Sequence, residues 1–100
     1  MLTLKTPINL KDGTSIPAGA KVSIAWIDSN IRAEIAYNGR VARVRSMTAA
    51  KALAGKVPTT RSFEKWASDG VCPTPTGKRV EPDGIGSDGV PSWLMIAGLI

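Results

Sequence analysis

Histidine is absent from this 100-residue sequence, and cysteine occurs once, at Cys72. A chain without histidine lacks the usual proton shuttle of Ser/His/Asp and Cys/His catalysis. With one cysteine it also lacks the ligand set of zinc fingers and zinc hydrolases. No internal disulfide can form, which predicts a reducing, intracellular setting. Aromatics are scarce: one phenylalanine, one tyrosine and three tryptophans. The longest apolar run, Trp93 to Ile100, falls far short of the ~20 residues of a membrane span. The Met-Leu-Thr-Leu-Lys start carries no apolar leader core. These absences predict a cytoplasmic protein with no membrane partner, no metal and no cofactor.

Basic residues are plentiful, and they are unevenly spread. Residues 1–65 hold 11 Lys/Arg against 4 Asp/Glu, whereas residues 66–100 hold 2 against 4. A basic front portion with a mildly acidic tail suits a polyanion, although a solvated, soluble surface has the same composition.

Ten glycines and seven prolines predict many turns and short elements rather than a helical bundle. The first 46 residues read as β-structure. Val22, Ile24 and Trp26 alternate with Ser23, Ala25 and Ile27, the period of a half-buried strand. Asp28-Ser-Asn30 interrupts it, and Ile31, Ala33, Ile35 and Tyr37 then share one face of the next strand. Asn38-Gly39 predicts a two-residue hairpin, because both central positions of a type I′ turn need positive φ. The return strand, 40–46, turns Ala42 and Val44 inward and Val41, Arg43 and Arg45 outward.

From Met47 the period changes. Thr48 to Ala54 is rich in helix formers, with Thr48 as the expected N-cap and Gly55 as the stop. A second helix is expected from Thr59 or Thr60 to about Ser68, with Phe63, Trp66 and Ala67 on one face and Asp69-Gly70 at its end. Residues 72–90 read as an ordered loop or hairpin, and Pro91 or Ser92 opens a short apolar element. The fold class expected is α+β: a small barrel over 1–46, with a helical and loop portion over 47–100 packed on it.

Two phrases resemble known patterns. Leu10 to Val22, LKDGTSIPAGAKV, resembles the strand, loop and strand of SH3-like barrels, which implies a small barrel and no particular activity. Thr48-Ala-Ala-x-x-Leu53, Thr59-x-x-Ser62-Phe63-x-x-Trp66 and Pro73 to Arg79 together resemble excisionase and MerR-like helix-turn-helix proteins. That resemblance implies a recognition helix presenting Arg61 and Lys65 to DNA, and a wing gripping the backbone with Lys78 and Arg79. Pro58 between the helices, Glu64 on the presumed DNA face and Glu81 and Asp83 after the wing depart from the pattern. Two short helices packed on a barrel account for the same residues. A second basic set, Arg32, Arg43 and Arg45 with Lys21 and Arg40, lies on the strands; it reads either as a stripe that tracks phosphates or as a solvated strand face that guards an edge.

Other constellations do not reach a chemistry. Glu81, Asp83 and Asp88 lack the spacing of a calcium loop, and Gly77-Lys78 is followed by Arg79 where a phosphate loop needs Ser or Thr. Residues 66–100, with Val80-Glu-Pro-Asp-Gly and Pro-Ser-Trp-Leu, resemble small proteins of tailed bacteriophages. The function expected is therefore a non-enzymatic nucleic-acid-binding module using Arg43, Arg45, Arg61, Lys65, Lys78 and Arg79. The alternative is a phage-encoded module that binds and inhibits a host protein. The apolar C-terminus is also a candidate homodimer contact.

Overall fold

Alternation in the sequence becomes three long antiparallel strands. In the computed structural model, which describes every residue from Met1 to Ile100, these are β4 (Lys21–Asp28), β5 (Arg32–Tyr37) and β6 (Arg40–Arg45). They are preceded by the short β1 (Leu2–Thr3), β2 (Ile8–Asn9) and β3 (Ser15–Ile16). Then come α1 (Ser46–Ala54), α2 (Thr60–Asp69), β7 (Cys72–Pro73), β8 (Arg79–Val80) and α3 (Trp93–Ile96). The chain is α+β, as its sequence predicts, and its radius of gyration of 13.0 Å is that of a compact chain of this length.

The main sheet has the order β1-β4-β5-β6, so β6 is an edge strand. β2 and β3 form a separate hairpin, with Ile8 opposite Ile16. No ladder joins that hairpin to β6, which leaves an open seam between them. The Asn38-Gly39 turn has the two positive φ values that the sequence demands, 52° and 77°. Tyr37 and Arg40 face each other directly across it. Two cations, Arg32 and Arg45, also stand directly opposite one another, an arrangement that destabilises a strand pair.

The inward faces build one core cluster. Leu4, Ile8, Ile16, Val22, Ala33 and Ile35 meet Ala49, Ala52 and Leu53 of α1 and Val90 of the late loop. A second, smaller cluster lies on the other side of α1: Ala50 with Cys72, Trp93, Leu94 and Ile96. Trp26 packs against both clusters, and its indole N–H is buried without a partner. The helix can sit between two layers because alanines line both of its buried faces.

α1 begins three residues earlier than the sequence suggests. Thr48 lies inside the helix, and Arg45 occupies the N-cap with no side-chain cap bond. The strand runs straight into the helix because Ser46 ties the junction to the β4–β5 turn. Its hydroxyl donates to the Asp28 carbonyl (2.6 Å) and its N–H to the Ile31 carbonyl (3.1 Å). No acidic side chain stands in the first turn. Gly55 closes the helix in the left-handed conformation, as expected, and the Ala52 carbonyl accepts from Lys5 and Thr6 of the β1–β2 connection.

α2 matches its expected bounds closely: Thr59 caps it by accepting from the Ser62 N–H, and Gly70 ends it. Its packing differs from the expectation. Phe63 and Trp66 meet edge to face, with centroids 5.6 Å apart, but they are half-buried, and Ala67 is exposed. The pair rests on the margin of the second cluster. α1 and α2 each pack on α3, so a third element mediates between the two helices.

α3 is held by its own cap. Ser92 is fully buried; its hydroxyl accepts from the Met95 N–H (3.1 Å) and donates to the Pro82 carbonyl, while its N–H donates to Gly84 (3.0 Å). One side chain thus closes a helix and pins the loop before it. Ser92→Ala should lower stability by about 2 kcal/mol, since it removes a cap and strands a buried carbonyl. Thr59→Ala, at an exposed cap, should cost about 1 kcal/mol or less. Urea unfolding of the two variants beside the parent measures both, and an equal loss would contradict this account.

Candidate functional site

The six basic residues expected at a binding surface fall on three elements. Arg43 and Arg45 stand on the outer face of β6, both exposed. Arg61 and Lys65 are exposed on α2, and Lys78 and Arg79 are exposed on the β7–β8 hairpin. α2 packs against β7, so the last two pairs ride on the same part of the chain. The clefts that contain Arg43 and Arg45 include no side chain from α2 or from the β7–β8 hairpin.

Arg43 and Arg45 have other company. A shallow cleft at the free edge of β6 is lined by Lys11, Arg32, Arg43, Val44 and Arg45. Alternation explains the strand residues: Arg43 and Arg45 lie two apart on one face, roughly 6.7 Å from each other along the strand, and Arg32 stands opposite Arg45. Lys11 arrives from the turn of the β2–β3 hairpin, more than twenty residues away in sequence. Four cations therefore border one edge. Lys21, grouped with this set on sequence grounds, lines neither of the two seam clefts.

The acidic counterweight is slight. Glu34 contacts Arg43 at Nε only (3.3 Å), with the arginine side chain 65% exposed. Asp12 approaches Arg40 at 3.9 Å. Exposed pairs of this kind contribute at most about 1 kcal/mol, so neither arginine is committed to its partner.

Next to this edge the seam deepens into a groove of about 310 Å³. Its floor is Leu10, Ile16 and Ile35, one wall carries Tyr37, and Lys11, Arg40 and Arg43 stand on its rim. The groove shares Lys11 and Arg43 with the cationic cleft. Sequence reasoning had Arg32, Arg40 and Tyr37 in hand but missed Lys11, because nothing local to Lys11 says which strand its turn will approach.

The turn that brings Lys11 into place is organised by Asp12. Its carboxylate accepts from the Thr14 hydroxyl (2.6 Å) and the Thr14 N–H (2.9 Å). The Thr14 hydroxyl first, then the Thr14 N–H, with a smaller pull from Arg40, hold this carboxyl below its ordinary value of 3.8.

Neither a family model, a curated protein nor a solved structure matches the chain. No group of three His, Cys, Asp or Glu side chains gathers in a metal-holding arrangement, and no helix is long and apolar enough to cross a membrane.

A depressed folded-state pKa means that the Asp12 turn stabilises the fold fully above the unfolded value, about pH 4, and loses this contribution as pH falls through the folded value. Thermal melts of the parent and of Asp12→Asn should therefore be separated above about pH 4 and converge on further acidification. A separation that grows in acid would reverse the sign and refute the assignment.

Proposed function

We propose that this chain is a non-enzymatic nucleic-acid-binding module, a small protein of phage type, and that the edge of β6 is its principal contact surface. The observation that carries the reading is the convergence of Lys11, Arg32, Arg43 and Arg45 on one strand edge, with Glu34 as the one acidic side chain paired into the set. Such a row tracks a phosphate backbone, and its attraction comes chiefly from counterion release. Lys78, Arg79, Arg61 and Lys65 serve as a second, auxiliary basic surface in this reading. An SH3-like barrel, open at the seam between the β2–β3 hairpin and β6, is the architecture we associate with residues 1–46.

Titration of labelled oligonucleotides against salt tests the proposal. Binding should weaken steeply with salt, and Arg43→Gln/Arg45→Gln should flatten the log–log slope by about one to two units. Lys78→Ala/Arg79→Ala should flatten it less. Absence of binding to any nucleic acid at low salt would end this reading.

A second reading, that of a module docking on a host protein or on its own copy, is supported by exposed apolar side chains near the C-terminus. Ile31, Leu99 and Ile100 are each more than half exposed, and Gly98 lies against Asn30, which brings the last residues beside the β4–β5 turn. Pull-down from nuclease-treated bacterial lysate should recover a stoichiometric protein if this patch has a heterologous partner, and light scattering should report a dimer if it pairs with itself.

A further inference from the structure

We propose that the groove at the open seam holds one unpaired base of a single-stranded nucleic acid, stacked on Tyr37, while the adjoining phosphates run along Arg43 and Arg45. This rests on the nucleic-acid reading above and specifies which form of nucleic acid the site takes.

Three observations lead to it. The groove is concave and apolar at its floor, and Tyr37 is the one aromatic side chain that lines it. A base presents both an apolar face and polar edges. Ser15 and Asn38 are also among the residues that line the groove, and neither side chain makes a hydrogen bond within the protein, so their polar groups are available to such edges. A duplex keeps its bases paired and stacked, and cannot offer one to such a slot without flipping it out.

Charge sets the direction of the strand. Asp12 occupies the rim near Arg40, and its carboxylate repels phosphate at that end. The cationic cleft leads the other way, through Lys11, Arg43, Arg45 and Arg32, with Glu34 on Arg43 as its one acidic pairing. Arg43 and Arg45 repeat along β6 every second residue, a spacing comparable with that of successive phosphates on an extended strand. Base in the slot and phosphates on the strand face are thus satisfied together.

An acidic peptide added to the free edge of β6 is the competing occupant of the same charges. Strand addition uses a row of pockets for alternate side chains, whereas the seam offers one concave slot beside a charged shelf. The nucleic acid fits this shape better.

Fluorescence anisotropy at low salt separates these outcomes. The probes are an oligothymidylate of about ten nucleotides, the same backbone with every site abasic, a duplex of equal length, and polyglutamate. Oligothymidylate should bind about tenfold more tightly than the abasic strand, and more tightly than the duplex. Tyr37→Leu should abolish the gap between oligothymidylate and the abasic strand, and Tyr37→Phe should preserve it; circular dichroism confirms that both variants fold. Equal, salt-sensitive binding of the oligothymidylate and abasic strands would overturn the base slot and leave the phosphate-binding reading intact, as would a preference for duplex. Binding of polyglutamate with no nucleic-acid binding would overturn both in favour of the peptide.

Discussion

The architecture depends on one narrow helix wedged between two layers. α1 turns Ala49, Ala52 and Leu53 toward the sheet and Ala50 toward α3, with Met47 and Ala54 at the margin. Alanine on both faces permits close approach on either side, and the interior is packed tightly enough that extra methylenes there force displacement. The C-terminal third of the chain has few strands of its own. It reaches the sheet through this helix, through Val90 and through Trp26, which packs against both clusters. A single set of small side chains therefore holds the late loop, α3 and, through α3, the aromatic pair of α2.

The direct strand-to-helix junction serves the same constraint. Ser46 satisfies its hydroxyl and its N–H on the preceding β4–β5 turn, so α1 leaves β6 without a linker. Its axis is set by the sheet rather than by a side-chain cap. The basic edge and the core helix are consecutive stretches of one chain, with Arg45 belonging to both as the last strand residue and the helix N-cap.

Much of this was legible in the residues, where the signal is local. The alternation of 22–27, the Asn38-Gly39 turn, the start of the second helix at Thr59 or Thr60 and the glycine stops at 55 and 70 each depend on a few neighbours. All four appear in the fold. What failed locally was decided by tertiary contacts. Thr48 is a better capping residue than Arg45, yet the buried Ser46 ties moved the helix start. Phe63 and Trp66 announce a core face, but they pack only at the margin of the second cluster, and the pair remains half-buried. The candidate site divides in the same way. Arg32, Arg43 and Arg45 follow from strand period, whereas Lys11 joins them only because an unpaired hairpin folds over the seam. No window of sequence contains that approach.

The crowding of like charge at the β6–α1 corner has a further consequence for the fold itself. Arg32 faces Arg45 across the sheet, and Arg45 sits at the positive end of a helix with no acidic side chain in its first turn, so the corner repels itself. Added electrolyte screens that repulsion. The same ions that would weaken a grip on a polyanion would thus tighten the empty protein, and solution conditions chosen to make it sturdy are those in which its basic edge is least effective.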